Sequence, residues 1–587
     1  MHSNLRSLIE VLKREREIVF VETEVDPYLE IAEIHRRIIE ENGPAILFTN
    51  VKGSRFPVIT NIFGTKKRIE LAFGSRPEAF IRQAVELSHK IFPPRFETFW
   101  NNRDLFLNLL KLGTKTRSSG PITEVEDNEP DLESLPLLQL WPEDGGHFVT
   151  LPLVYTESPE DKRPNIGMYR MQRFDKTSTG MHWQIGKGGG FHYYEAENKG
   201  EPLPVTVFLG GPPALIVSAI APLPEGVPEV IFASLLAGER LPLVERKGHA
   251  HRIFAEAEFA ICGEVPPGIR RSEGPFGDHY GYYSLEHDYP IFKVSKILHR
   301  RDAIYPATVV GKPRQEDFFI GDYLQELLSP IFPIVMPAVI DVWSYGETGF
   351  HSLAAAVVRE RYGREALTAA FRILGEGQLG LTKFLLITDK PQDLRSFPNL
   401  FEYILERVDW SRDFFILSNT SFDTLDYASG KINIGSKAIL MGLGEKRREL
   451  ERQFNSQLPP GIRKAKVFCG GCLALEADEY TSDPELPGRI ALMEEFKQWQ
   501  VVVLLDNIGL AETTAKFIWG VWTRFSPDKD IHAKKTDVEN HHLRYQSPIV
   551  IDSRMKPWYP KEVEPARETI ELVNKRWREY FPSPTNF

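Results

Sequence analysis

The side chains able to do chemistry gather between residues 165 and 278, where Asn165, Arg170, Glu229, Glu273 and Asp278 each sit in a short run rich in glycine or proline. Glu273 and Asp278 flank Gly-Pro-Phe-Gly, a sequence suited to a tight turn that can aim both carboxyls into one cavity. Two close carboxylates cannot both ionise cheaply in apolar surroundings, so one pKa is expected to rise and leave a proton donor. An arginine between them would hold the other as a carboxylate and can grip a substrate carboxylate through paired hydrogen bonds. The same three residues also fit a salt bridge that pins a turn, and their types alone leave both readings open.

The Asn165 amide and the Glu229 carboxylate are hard oxygen donors, suited to Mn2+ or Mg2+ rather than zinc. Beside Pro164 and Pro228 they equally suit a turn residue and a helix-capping carboxylate. In Lys187-Gly188-Gly189-Gly190, consecutive glycines let backbone N–H groups approach a phosphate while the lysine adds a charge. A flexible hairpin tip has the same composition.

Bulk properties narrow the class. A chain of 587 residues exceeds one ordinary domain and suggests three or four. Its apolar fraction of 42% and charged fraction of 26% are those of a globular protein with buried cores. A net charge of -10 argues against a nucleic-acid partner, which needs clustered Lys and Arg. Three cysteines argue for a reducing compartment without a disulfide framework. Leu5, Leu8, Ile9 and Leu12 fall at helical spacing among charges, predicting an amphipathic helix rather than a signal peptide. The most apolar run, Pro204 to Pro222, is broken by Gly210-Gly211 and Pro212-Pro213 and cannot span a membrane. A cytoplasmic enzyme is the expectation.

The elements that would position these residues change texture along the chain. Residues 1–125 read as an N-terminal α/β domain with strands at Ala45–Phe48 and Pro57–Thr60. An acid- and proline-rich loop, Glu124 to Pro136, marks a boundary. Residues 126–330 carry short β-type runs such as Val205–Phe208 and Ala214–Val217 between Gly and Pro clusters, as in a β-barrel domain. Residues 331–445 return to α/β alternation, with Lys383–Asp389 as a strand buried on both faces. Residues 446–587 echo that unit: Asp389, Arg407 and Asp413 recur as Asp506, Arg524 and Asp530, all at an offset of 117, which predicts a partial duplication. Cys469-Gly-Gly-Cys472 lacks a second ligand pair and reads as a turn with two thiols. P-loop, GxSxG, HExxH and dinucleotide fingerprints are absent.

The runs NIGMYRMQRFDK (from Asn165), PEGVPEVIFASLLAG (from Pro224) and SEGPFGDHYGYY (from Ser272) resemble the three signature segments of the UbiD decarboxylases. DGGHFVT near 144, AIYPATVVGKP near 303 and SGKINIGSK near 429 extend the resemblance over residues 1–445. It implies a multidomain α/β protein whose central domain is a split β-barrel that binds prenylated FMN, with oligomerisation through the C-terminal domain as a dimer or hexamer. The implied activity is non-oxidative, reversible decarboxylation of an aromatic or α,β-unsaturated acid, such as 4-hydroxy-3-polyprenylbenzoate, a dihydroxynaphthoate or a small phenolic acid. The implied partners are that acid and a flavin prenyltransferase supplying the cofactor, with peripheral membrane contact if the acid is polyprenylated.

Residue by residue, the resemblance places Asn165 and Glu229 on a divalent metal bridging to the flavin phosphate, His192 as a third ligand, and K+ as a further ion. Met168, Tyr169 and Arg170, then His182, Trp183 and Gln184, then Lys187 and Gly188 would wrap the flavin. Arg170, Glu273 and Asp278 would be catalytic, with Asp278 as proton donor. Two other classes stay open: an FMN oxidoreductase or flavin reductase on a similar barrel, which needs no Arg–acid set, and a non-catalytic partner subunit, which has no reason to keep one.

Overall fold

The computed structural model describes residues 2–90, 100–103, 107, 109, 111–183, 188–223, 227–312 and 314–582. The chain forms two compact units, Met1–Leu327 with Lys561–Phe587, and Leu328–Pro560.

In the first unit the predicted amphipathic helix forms over Leu5–Arg14, opened by an Asn4 capping box and burying Leu5, Leu8, Ile9 and Leu12. Four strands, Ile18–Val21, Ala45–Phe48, Val58–Thr60 and Tyr305–Pro306, make one sheet, so the AIYPATVVGKP segment completes the N-terminal layer. The candidate residues depend on a second, eight-stranded sheet. Its order is Ser178–Gly180, His287–His299, Phe259–Val265, Leu203–Leu209, Leu153–Glu157 and Pro164–Gly167. Every pairing along that order is antiparallel. Arg270–Glu273 and Val125–Asp127 also pair with the long strand His287–His299, and no closing pair joins the two ends among the described residues.

Two sequence readings change here. The Glu124–Pro136 loop is no simple linker, because Val125–Asp127 is a strand of this sheet. Ala214–Val217 is helical, within Pro213–Ile220. A short apolar run buried all round has no period to tell strand from helix, and prolines at its first positions preset the helical φ.

The second unit holds two five-stranded sheets of one strand order. Strands Val339–Ser344, Leu353–Val358, Phe384–Thr388, Ile434–Gly442 and Phe414–Ser421 form one sheet, in that order. Ile462–Cys469, Cys472–Ala477, Val501–Leu505, His542–Asp552 and Ile531–Glu539 form another with the same topology. The echo extends to hydrogen bonds. Asp413 Oδ2 accepts from Asp409 N at 3.2 Å and Asp530 Oδ2 from Ser526 N at 2.7 Å. Asp389 Oδ2 accepts from Gly444 N at 3.0 Å and Asp506 Oδ2 from Met555 N at 2.8 Å. Both sheets contribute to one shared core around Phe384, Phe414, Trp522 and Ile549. Cys469 and Cys472 are register partners across a Gly-Gly turn and remain free thiols.

The last helix, Arg567–Tyr580, belongs to the first unit and not to the duplicated lobe. Arg576 Nη1 pairs with Glu30 Oε1 at 2.5 Å, and Asn574 Oδ1 accepts from Arg37 at 2.7 Å, on the helix Glu30–Glu40. Among the described residues no helix is long and apolar enough to cross a membrane.

Candidate active site

Two neighbouring constellations are built on the segment from Pro164 to Gln172. The first starts at Asn165 on the edge strand Pro164–Gly167, buried and paired in register with Thr156. Glu229 opens the helix Glu229–Ala237, and its Oε2 accepts from Ile166 N at 3.1 Å, which brings the carboxylate beside the asparagine. The glycine run forms the first turn of the helix Gly188–Lys199 instead of a hairpin tip. A Cβ at Gly188 would lie 2.1 Å from Asn165 Oδ1, so only glycine lets that turn approach the amide. Tyr169 packs under the same turn, its hydroxyl accepting from Gly189 N at 3.3 Å.

Asn165, Tyr169, Gly188 and Glu229 therefore converge, and Trp183 joins them through Gly189 and Tyr193, whose ring centroid lies 4.8 Å from its own. Met168 is half-buried in the same segment, and Gln184 and Lys187 lie outside the described residues. His192, on the first turns of the Gly188–Lys199 helix, hydrogen-bonds through Nδ1 to Thr156 Oγ1 at 2.8 Å, and burial lowers its pKa. Among the described residues no three His, Cys, Asp or Glu side chains assemble as a metal site. An asparagine amide falls outside such a set, so metal binding here would draw on the Asn165 amide and the Glu229 carboxylate, with His192 as the third candidate.

The chemistry of these side chains fits such a ligand. Among the described residues, Trp183 Nε1 and His182 Nε2 are buried polar atoms without a hydrogen-bond partner. Leaving such atoms unpaired costs about 1–3 kcal/mol each, so a polar group bound among them would be stabilised.

The second constellation surrounds Arg170. Its Nε and Nη2 meet the two oxygens of Glu273 at 3.1 and 3.3 Å, its Nη1 pairs with Asp278 Oδ2, and Nη2 also reaches Ser284 Oγ at 2.9 Å. The guanidinium lies 4.8 Å from the Phe276 ring centroid. Glu273 ends the strand Arg270–Glu273, is fully buried, and takes His182 Nδ1 on Oε2 at 3.1 Å. Burial, then the Arg170 charge, lowers the His182 pKa. The neutral ring thus donates through Nδ1 and leaves Nε2 as the orphaned acceptor.

The expectation that one of the two acids carries a raised pKa is overturned. Burial, the largest single effect, would raise both, but the Arg170 charge together with hydrogen bonds from His182 to Glu273 and from His279 to Asp278 outweighs it, bringing Glu273 to about 2 and holding Asp278 well below the usual carboxylate range. One guanidinium serves both acids, so in this state both are carboxylates.

The turn between them is clamped by residues the sequence reading missed. Asp144 Oδ1 accepts from Gly277 N at 2.7 Å, Gly145 N donates to Pro275 O at 2.8 Å, and Gln172 Oε1 accepts from Gly274 N at 2.8 Å. Ser284 Oγ accepts from Phe276 N at 3.2 Å. Asp144 also accepts from Leu140 N and Trp141 N, and burial pushes its pKa up to about 7. The DGGHFVT run held the signal for Asp144 and Gly145, but nothing in it pointed to a turn over a hundred residues away.

Fold and site define a class. The sequence matches the 3-octaprenyl-4-hydroxybenzoate carboxy-lyase N-terminal domain over residues 9–88, its Rift-related domain over 114–313 and its C-terminal domain over 318–442. The chain belongs to the UbiD family and is an enzyme of the carboxy-lyase type. It is 52% identical over 584 residues to an uncharacterized protein of Chlamydia trachomatis, covering 99% of this chain and 100% of that protein. It is 49% identical over 586 residues to a Chlamydia pneumoniae protein named as one subunit of a 4-hydroxybenzoate decarboxylase, covering 100% of both.

Among solved structures, the closed form of Sedimentibacter hydroxybenzoicus vanillic acid decarboxylase aligns with TM-score 0.67 at 23% identity, over 78% of this chain and 96% of that one. The UbiD-class enzyme HmfF of Pelotomaculum thermopropionicum, in complex with FMN, aligns with TM-score 0.62 at 22% identity, over 78% of this chain and 98% of that one. At these identities the structural likeness speaks for the fold alone.

Proposed function

We propose that this protein removes CO2 from an aromatic acid of the 4-hydroxybenzoate type with the help of prenylated FMN. The observation that carries this reading is one arginine shared by two buried carboxylates, with His182, whose Nε2 has no partner among the described residues, on one of them. When bound, the cofactor would supply the electron sink that an sp2 carbon losing CO2 requires and that side chains lack. Asn165 and Glu229 would hold the divalent ion, Mn2+ or Mg2+, and Tyr169, His182, Trp183 and Gly188 would line the flavin. The eight-stranded antiparallel sheet is read as the split β-barrel of the family. A polyprenylated acid, a prenyltransferase as cofactor supplier, a cytoplasmic setting and a homo-oligomer belong to the same proposal.

The protein's own residues bind, orient and deliver a proton. Arg170 offers a planar fork to an incoming carboxylate. That anion competes with Asp278 for the guanidinium and adds a like charge beside it, and both effects raise the Asp278 pKa. Asp278 thus becomes a proton donor when substrate is present, while Glu273, gripped by two nitrogens, keeps Arg170 in place.

The test is to produce the protein together with a flavin prenyltransferase and Mn2+, then measure the mass and spectrum of the bound cofactor. CO2 release is followed from 4-hydroxybenzoate, vanillate and 3,4-dihydroxybenzoate. A prenylated flavin bound by the wild type and lost in Glu229→Ala is expected. Asp278→Asn should keep the flavin and turn over at least about a hundredfold more slowly. Plain FMN or no flavin, with no CO2 from any acid, would refute the reading.

A further inference from the structure

Each decarboxylation consumes one proton at the carbon that carried CO2, so a buried acid that delivers it must be refilled every turnover. Among the described residues, the side chains hydrogen-bonded to the Asp278 carboxylate are two: Arg170 on Oδ2 and His279 on Oδ1. Arginine does not give up its proton in proteins, since its pKa lies above 12. His279 touches the other oxygen twice, with its backbone N at 2.7 Å and its ring Nδ1 at 2.6 Å. Asp278's side chain is 12% exposed and the His279 side chain is 24% exposed, so the ring is the more open of the pair. Asp317, at the start of the helix Glu316–Leu328, is a charged group facing both residues, and burial pushes its carboxyl up to about 6. The titratable groups coupled to the pair include Arg170 with Glu273 on its other side, His182, and Asp317 from the helix.

We infer that His279 is the proton carrier that loads Asp278 in each turnover, once the substrate carboxylate has entered. The inference rests on the reading of Asp278 as the proton donor. When the substrate carboxylate has entered beside Arg170, the His279 Nδ1–H bond breaks and a proton bonds to Asp278 Oδ1, which then passes it to the substrate carbon. The electron pair stays on the imidazole nitrogen, and the ring regains a proton from solvent or buffer. No oxidant or second reactant is needed. The two contacts from one residue give the ring a fixed approach to the oxygen that Arg170 leaves open. Histidine suits this task because its ordinary pKa lies near neutrality. His279 acts through Asp278, which makes it a positioning and proton-supplying residue rather than a group on the substrate.

Two measurements test this on the full-length chain. In unliganded protein with 15N-labelled histidine, the His279 ring is titrated by NMR in wild type and in Asp278→Asn. Removing the carboxylate should lower the His279 pKa by about one unit or more; an unchanged titration would overturn the coupling, whatever the enzyme turns over. In the loaded enzyme, His279→Gln keeps a hydrogen-bonding side chain but carries no titrating proton. Its kcat should fall about a hundredfold, with KM within about twofold of wild type and the pH dependence of kcat flattened near neutrality. A kcat close to wild type, or a rise in KM matching the loss of kcat, would overturn the inference. Intact NMR coupling in a protein that decarboxylates none of the three acids would instead count against the proposed function and leave the proton link standing.

Discussion

Arg170 in the first unit and Arg554 in the second are both buried, and each grips one carboxylate with two nitrogens, Glu273 at 3.1 and 3.3 Å and Asp552 at 2.9 and 2.7 Å. They part company in what the remaining donors do. Arg554 donates to the backbone carbonyls of Asp478 and Asp483 at 3.0 and 3.1 Å, so one cation meets one anion and the rest of the fork is absorbed by the main chain. Arg170 meets a second carboxylate, Asp278, together with Ser284 Oγ. The charge count differs accordingly: balanced around Arg554, one negative charge in excess around Arg170. A balanced buried pair has no reason to exchange protons. A site with surplus carboxylate beside a histidine has one, and a second anion entering it must shift a proton. The contrast separates a fold-holding arginine from a chemical one without using sequence motifs.

Breaking the chemical arginine should have the largest consequences. Arg170→Met leaves Glu273 and Asp278 buried with no shared cation. Removing one partner of a buried ion cluster costs about 3–5 kcal/mol. Decarboxylation should also fall by more than about a thousandfold, since orientation and proton delivery are lost together. Denaturant unfolding and CO2 release measure the two effects. Adding Asp278→Asn to relieve the charge should recover stability without recovering turnover; recovered turnover would make the triad a structural clamp.

Arg554→Met should destabilise the second unit by a similar amount, about 3–5 kcal/mol, because Asp552 is left alone in the interior. Here the double variant Arg554→Met, Asp552→Leu should regain most of the loss, as apolar replacements of buried pairs often do. Flavin binding and kcat per folded molecule should stay within about twofold of wild type. If the double variant loses turnover as Arg170→Met does, the two arginines are not different in kind.

The sequence carried this comparison unevenly. Motif resemblance located Arg170, Glu273 and Asp278, because a turn sequence and two acids at fixed spacing are local features. The partners that fix their protonation were not legible: Ser284, Gln172, Asp144 and His182 come from other strands and loops, and only pairing brings them together. The pKa of the acids was misjudged for the same reason, since the outcome turned on the guanidinium and the histidine that reach each carboxylate. In the second unit the constant spacing between Asp389 and Asp506, and between Asp413 and Asp530, pointed to a duplication, and the two sheets there share one strand order. Arg554 was invisible there, having no counterpart motif. The assignment of Arg567–Tyr580 was hidden too, because a helix of mixed charge says nothing about which unit its Tyr580 and Val573 will join.

A pH measurement sharpens the comparison from the other side. The folded pKa of Glu273, about 2, lies below its ordinary value of 4.5. A depressed carboxyl contributes stability that is fully present above the unfolded pKa and is lost as pH falls through the folded one. The window is therefore about pH 4.5 down to 2, and the whole contribution is on the order of 3 kcal/mol. The Asp278 pKa is shifted in the same direction and adds to the loss. Glu273→Gln has no such carboxyl to titrate. Near pH 6 the variant should be less stable than wild type, and the gap in Tm should narrow as pH falls from 5 toward 3. A gap that stays constant over that range would mean Glu273 gains nothing from Arg170 on folding, and the charge surplus inferred for the first unit would be wrong.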